Sequence, residues 1–387
     1  MSGHRASLDV LLERFTHEVR VGTASSIAQY ARRYPHLAEE IEELFPLIEG
    51  LEKCKIAQDA EFVRQNFPDE FPLRQLGDCT LVREIGRGGM GIVFEATQGP
   101  TERAVAIKLL PSRFLADRLK SKERFQSEAV TIAQLRHQNI VPIYSFGEHD
   151  GYYFYVMQLV RGVSLDWVIR QLRVSSAPIC SELIHQIAGG EPVVDADSSQ
   201  PAVLASNRSL GRDSWGVFAK IGIQVALGLS HAHSHQVLHD DIKPANLLLN
   251  VAGRVVITDF GGSYRPNSTV DSAHENYTGT LRYMAPERLR GRSNARSDIY
   301  SIGMTLYELV TQQSAFDTDD RSHMAEMIVN GAWPTPGELC PDVPEEFERI
   351  ILTALARDPA DRYASAKAMA DDLRRFVKQF EAAARPV

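Results

Sequence analysis

Two stretches of the chain carry side chains whose types and spacing suit phosphoryl chemistry. The first is Leu238-His239-Asp240-Asp241-Ile242-Lys243-Pro244-Ala245-Asn246-Leu247-Leu248-Leu249. The second, Thr258-Asp259-Phe260-Gly261, follows the apolar run from Arg254 to Ile257. Moving a phosphoryl group needs little covalent help; it needs an oriented hydroxyl, neutralised charge and in-line geometry. Asp241 can accept a hydroxyl's hydrogen bond and proton, and Lys243 can steady a terminal phosphate. Asn246 and Asp259 offer the hard oxygen donors of a partial Mg2+ site, the kind that water and phosphate oxygens complete.

Upstream, Gly86-Arg87-Gly88-Gly89-Met90-Gly91-Ile92-Val93 repeats a glycine spacing that dinucleotide sites also use. In those sites the glycines open a helix. Here Ile92, Val93 and Phe94 continue as a strand, which makes a strand–turn–strand flap. Without Cβ atoms, its backbone N–H groups can approach phosphates closely. Taken alone, the run would equally suit a plain glycine hairpin. Further on, Lys108 ends the apolar strand Ala104-Val105-Ala106-Ile107-Lys108. With phosphates beneath the flap it would grip them, and Glu128 on the next expected helix would hold it. The bland alternatives are a solvated strand-end lysine and a solvated helix face.

Flap, lysine, glutamate and the two acidic blocks together resemble the protein kinase family over roughly residues 78–378. In style they resemble bacterial members of the eukaryotic-like (Hanks-type) serine/threonine kinases. The resemblance implies an α+β, two-lobed fold, with a β-rich N-lobe at 78–157 and a helical C-lobe at 158–380. It also implies ATP and Mg2+ as cofactors, Ser/Thr hydroxyls of proteins as acceptors, and autophosphorylation. On the family's pattern, nucleotide contacts fall to Ile85, Gly86, Gly88, Gly91, Val93, Ala106, Lys108, Met157 as gatekeeper, Leu159, Val160 and Leu248. Asn246 and Asp259 take the metal; Asp241, Lys243, Lys108, Glu128 and Thr280 make up the catalytic set. Lys243 and Thr280 point to serine/threonine over tyrosine.

Three later stretches extend the match. Gly279 to Glu287 resembles the end of an activation segment. Ser297-Asp298-Ile299-Tyr300-Ser301-Ile302-Gly303 resembles a helix whose Asp298 anchors the catalytic-loop backbone. In Arg357-Asp358-Pro359-Ala360-Asp361-Arg362 the final arginine is expected to form a buried pair with Glu287.

Two positions depart from the family pattern. Asp240 stands where phosphorylation-activated members carry an arginine that receives a phosphate through a charge-assisted fork. An aspartate repels such a phosphate, so activity is expected not to depend on phosphorylation of Ser268, Thr269, Ser272, Tyr277 or Thr278. The competing reading is that Asp240 is merely tolerated and another basic residue, such as Arg265, does the receiving. Gly262-Ser263 replaces the usual apolar pair after Gly261 and would loosen that loop. A pseudokinase scaffold that binds nucleotide or partners without turnover is the rival function. A small-molecule phosphotransferase is weaker still, because the Glu287 segment and the Asp298 helix are both present.

These residues need elements to position them. Leu8, Leu11, Leu12, Phe15 and Val19, then Leu37, Ile41, Leu44, Leu47, Ile48 and Leu51, recur at helical spacing, so residues 1–66 read as a helical extension. Ser26 would cap a short middle helix ending near Pro35. The extension is either a packed helical hairpin or a docking module. Pro68, Pro72 and Gly77 mark a linker at 67–77. Short β-rich segments follow at 80–85, 92–96 and 103–110, a helix near 117–136, apolar segments at 140–147 and 152–160, then mainly helix from about 163. Residues 174–213, rich in Ser, Ala, Gly, Pro and Asp, read as a surface insertion with little periodicity. Its Ser198, Ser199, Ser206 and Ser209 are either phosphoacceptors or plain loop serines.

Bulk properties narrow the partners. A formal charge of −8 argues against nucleic acid, which needs a basic surface. Cys54, Cys79, Cys180 and Cys340 are scattered without metal-like spacing, as in a reduced, cytoplasmic chain. Met1 to Ala6 lead into charged residues with no apolar core, so no signal peptide is expected. The most apolar stretch, Trp215 to Leu238, contains Lys220, His231, His233 and His235 and reads as a buried helix, not a membrane segment.

Overall fold

The computed structural model describes residues 27–38, 41, 45, 75–88, 91–111, 129–149, 152–174, 180–189, 214–260, 281–316, 318 and 320–383. The chain divides into two compact units, Met1–Arg74 and Gln75–Val387. In the first, helix α1 (Ile27–Arg33) begins directly after Ser26, and a 3-10 turn follows at Pro35–Leu37. Tyr30, Ala31, Ile41 and Phe45 form a small buried cluster. Tyr30 and Phe45 meet edge to face at 5.2 Å, the arrangement that aromatic quadrupoles favour.

The second unit opens with a sheet of six strands: β1 (Gln75–Leu76), β2 (Cys79–Gly88), β3 (Gly91–Gln98), β4 (Arg103–Pro111), β5 (Ile143–His149) and β6 (Tyr152–Gln158). Their spatial order is β1-β2-β3-β4-β6-β5, and every pair is antiparallel. Alternating burial along β3 is the mark of a strand with one face on a core. The expected linker at 67–77 overlaps this sheet. Gln75 and Leu76 pair with Thr80 and Cys79, and Gly77 supplies a left-handed turn residue (φ +56°) between them. The glycine signal was therefore a turn within the sheet.

Beyond the sheet, β7 (Val163–Ser164) leads into α2 (Leu165–Val174), α3 (Ser181–Ala188) and α4 (Ser214–Ser234). The hairpin β8 (Leu247–Leu249) and β9 (Val255–Ile257) joins β7 in a three-stranded sheet. Among the described residues the helices α5 (Ala295–Thr311), α6 (Arg321–Asn330), α7 (Pro336–Leu339), α8 (Glu345–Ala354) and α9 (Ala366–Ala383) follow. α4 is apolar nearly all round, with Trp215, Phe218, Ile221, Val225 and Leu229 buried, and it packs between α5 and α9.

Residues 174–213 correct the sequence reading at one place. Within them, α3 buries Leu183, Ile184, Ile187 and Ala188 in the main core. Those four lie at i, i+1, i+4 and i+5, a helical stripe too short to stand out from its Ser- and Gly-rich surroundings. Residues 190–213, with the four candidate serines, lie outside the described residues, as do most of the helix expected near 117–136 and the whole of 261–280.

Candidate active site

Asp241 sits in the loop between α4 and β8, and its carboxylate gathers two of the expected partners. Lys243 Nζ approaches Asp241 Oδ2 at 2.9 Å, and Asn246 Nδ2 donates to the same oxygen at 3.1 Å. Asn246 Nδ2 also donates to the Asp241 carbonyl at 2.8 Å, so the amide closes the loop on itself. His239, fully buried, supplies the scaffold. The Asp241 N–H donates to His239 Nδ1 at 3.2 Å, which leaves the Nε2–H to donate to the Thr258 carbonyl at 2.8 Å. Thr258 N–H in turn donates to the Asn246 carbonyl at 2.9 Å, and the His239 ring packs edge-on against Phe260 at 4.5 Å. One imidazole thus locks the two acidic blocks together.

Asp259 follows in a left-handed backbone (φ +63°), a conformation that aspartate tolerates better than most residues. Its carboxylate receives Lys108 Nζ at 2.8 Å, across from β4. Burial alone would push the Asp259 carboxyl up, but Lys108, aided by Lys243, outweighs it and holds it below the usual carboxylate range. The mount for this meeting is the stretch before β5: Val141 N–H donates to the Ile257 carbonyl at 3.0 Å, and Ile257 N–H to the Asn139 carbonyl at 2.9 Å. Asn139 Nδ2 adds a bond to the Val255 carbonyl at 2.7 Å.

The flap is a hairpin. Gly86 pairs with Val93 and Gly88 with Gly91, so strand continues into strand as the Ile92-Val93-Phe94 pattern predicts. Gly91 is required by space, because a Cβ there would stand 1.9 Å from the Leu109 carbonyl oxygen. Ile85 lies on β2 just before the glycines and is partly exposed.

Beside Lys108 lies a small apolar cluster of Ala106, Val141, Met157 and Val256, with Val93, Ile143, Leu159 and Val160 packed against it. It brings together five of the expected nucleotide-contact residues: Val93, Ala106, Met157, Leu159 and Val160. Leu248 is not in the cluster, but it pairs across the β8–β9 hairpin with Val256, which is. Val141, Ile143 and Val256 were not singled out in the sequence. Their only signal was membership of ordinary apolar runs. Glu128 and Thr280 lie outside the described residues, as do Gly89, Met90 and Arg265.

The anchoring residues are in hand. Asp298, buried at the start of α5, accepts the backbone N–H groups of His239 (3.0 Å) and Asp240 (2.9 Å) and the His233 ring at 2.8 Å. Burial would raise its pKa, but His233 and the backbone donor from His239 bring the net shift downward. Glu287 and Arg362 form a two-pronged pair, with both contacts at 2.8 Å. The remaining guanidinium donors reach the carbonyls of Ala356, Arg296 and Arg357.

A family model described as protein tyrosine and serine/threonine kinase matches residues 79–373, about three quarters of the chain. The chain belongs to the protein kinase family. Among curated relatives, the serine/threonine-protein kinase PrkC of Bacillus subtilis is 31% identical over 299 residues, 77% of this chain. The serine/threonine-protein kinase PknE of Mycobacterium tuberculosis is 31% identical over 290 residues, 75% of this chain. Among solved structures, a mutant PknI kinase domain from M. tuberculosis aligns with a TM-score of 0.54 and 25% identity, covering 78% of this chain and 96% of that one. The chain therefore carries a eukaryotic-like serine/threonine kinase domain of the bacterial style, in the two-lobed kinase fold. It spans about 40% of the length of PrkC and 44% of PknE.

Proposed function

We propose that this kinase transfers the γ-phosphoryl group of ATP to serine or threonine hydroxyls of proteins, its own chain included. The reading rests on one observation: Lys108 of β4 meets Asp259 after β9, while Asp241 gathers Lys243 and Asn246 in the loop that His239 ties to Thr258, next to Asp259. Asp241 accepts the acceptor hydroxyl's proton while that oxygen bonds to the γ-phosphorus. The bond from phosphorus to the β,γ-bridging oxygen breaks, and ADP leaves. Lys243 and Lys108 balance charge on the phosphates, and the flap's N–H groups lie over them. The cluster around Ala106 and Met157 receives the adenine. Glu128 and Thr280 keep the roles that the family pattern implies for Lys108 and the acceptor.

The donor set suits magnesium. Asn246 spends its nitrogen on Asp241, which leaves the carboxamide oxygen as the accepting end, and Asp259 adds a carboxylate. Among the described residues no group of three or more His, Cys, Asp or Glu is arranged to hold a metal alone. A pair of hard oxygens is what Mg2+ takes when phosphates and water fill the remaining positions. Bound there, the ion would neutralise phosphate charge.

We take residues 78–157 and 158–380 as the N- and C-lobes. No helix among the described residues is long and apolar enough to cross a membrane. The charge of −8 favours protein over nucleic acid as the partner, and the scattered cysteines favour a reduced, cytoplasmic setting. Incubation with γ-labelled Mg-ATP and a generic basic protein tests the proposal. Label on protein that disappears in both Asp241→Asn and Lys108→Met is the expected result; nucleotide binding without transfer by the unaltered chain would refute it.

A further inference from the structure

Asp240 sits immediately before Asp241 in a left-handed backbone (φ +62°), and its side chain leaves the catalytic loop altogether. Its Oδ1 accepts a hydrogen bond from Ser293 Oγ and faces Arg288 Nε at 3.6 Å. The Arg288 and Asp240 side chains are only 8% and 12% exposed, so this pair is screened far less than a surface salt bridge. Both partners stand on fixed mounts. Arg288 follows Glu287, whose two carboxylate oxygens are held by Arg362. Ser293 precedes Asn294, which caps α5 in a reciprocal capping box with Ser297. The same helix carries Asp298, which grips the backbone N–H of Asp240 from the other side.

We infer that Asp240 is a positioning residue: its carboxylate ties the catalytic loop to residues 286–293 through Arg288 and Ser293, and this tie sets the orientation of Asp241. The inference rests on the kinase reading and adds a part to it. With the main chain held by Asp298 and the side chain held by Arg288 and Ser293, residue 240 has little freedom to turn. The peptide that leads into Asp241 is fixed with it. A charge pair encoded in the chain therefore braces the loop at this position. Releasing the side chain leaves the 240–241 peptide held only by the Asp298 bonds and by the Asp241 N–H bond to His239, and the inferred result is a shift of the Asp241 carboxylate relative to Lys243 and Asn246. Misplacing a reacting group by about 1 Å can cost on the order of a hundredfold in rate.

Asp240→Asn tests this cleanly. Asparagine keeps the shape, the tolerance of left-handed backbone and the ability to accept from Ser293, and it removes only the charge. The experiment compares the unaltered chain, Asp240→Asn, Arg288→Met and the double variant, with kcat, KM for ATP and Tm measured for each. The expected result is a fall in kcat of about tenfold or more in each single variant, with KM for ATP within about twofold. The double variant should be no worse than either single one, because both remove the same contact. Full kcat in Asp240→Asn, additive losses in the double variant, or losses that only follow the folded fraction would each overturn the inference while the kinase reading stands. Absence of transfer by the unaltered chain overturns the kinase reading and the inference with it.

Discussion

Two ion pairs in this molecule look alike on paper and are built for opposite ends. Arg362 is 0% exposed, meets Glu287 with both prongs, spends its other donors on carbonyls and lies over the Tyr300 ring at 4.9 Å. Lys108 and Asp259 meet through one 2.8 Å contact, with side chains 14% and 32% exposed. The first pair is saturated and sealed, so its charges hold shape. The second is unsaturated and partly exposed, as the proposed function requires if a triphosphate is to take over the lysine and a metal the carboxylate. Degree of saturation, more than the presence of charge, separates structural ion pairs from working ones.

If that contrast is right, mutations in the two regions should fail in different ways. Asp241→Asn should lower kcat by about a hundredfold to ten-thousandfold, the usual contribution of a positioned base, while Tm barely moves. Lys108→Met should behave similarly, with nucleotide affinity also reduced. Arg362→Met should do the reverse: a loss of roughly 3–5 kcal/mol of stability, because the largely buried Glu287 carboxylate would be left without its partner. Urea unfolding beside a kinetic assay separates the two patterns. An Arg362→Met protein that melts normally yet fails to turn over would break the distinction.

A smaller effect should appear in acid. Glu287 and Asp298 are both held below the ordinary carboxylate range; burial opposes the shift, while Arg362 and Ser297 for the one and His233 for the other overcome it. A folded-state pKa below the unfolded value gives stability that is present above the unfolded value and lost as pH falls through the folded one. The melting temperature should therefore hold from neutrality down to about pH 5 and decline below about pH 4. Asp298→Asn should start lower at pH 7 and show a shallower acid limb. An acid limb as steep as that of the unaltered protein would remove Asp298 from the account.

How much of this was legible in the sequence depended on whether the information was local. Asp241, Lys243 and Asn246 share one short loop, and Asp259 follows a strand that pairs with the strand just after that loop, so their spacing already encodes their meeting. Lys108 and the glycine flap were readable because a hairpin and its neighbouring strand impose a fixed register. The apolar cluster was read only in part. Val141, Ile143 and Val256 come from different segments, each an unremarkable hydrophobic run, and only the fold brings them together. α3 was missed because its four core residues lie in a polar neighbourhood. Asp240 was noticed as a departure, but nothing local could name its partner: Arg288 lies 48 positions along the chain, among several other arginines.

The smallest expected effect concerns the acceptors in 261–280. Asp240 brings a negative charge to the position where a phosphate-receiving arginine would stand, and that charge faces Arg288 and Ser293. A phosphate entering beside it would meet like charge, with no arginine at residue 240 to form a fork. Replacing Ser268, Thr269, Ser272, Tyr277 and Thr278 together with residues that cannot be phosphorylated should therefore leave kcat within about threefold of the unaltered chain. Ser293→Asp sharpens the same point from the other side. It places a second carboxylate against Asp240 and competes for Arg288, so it should lower kcat more than all five substitutions combined. Collapse of the five-fold variant to background would mean that the loop does depend on an added phosphate, received elsewhere than at residue 240.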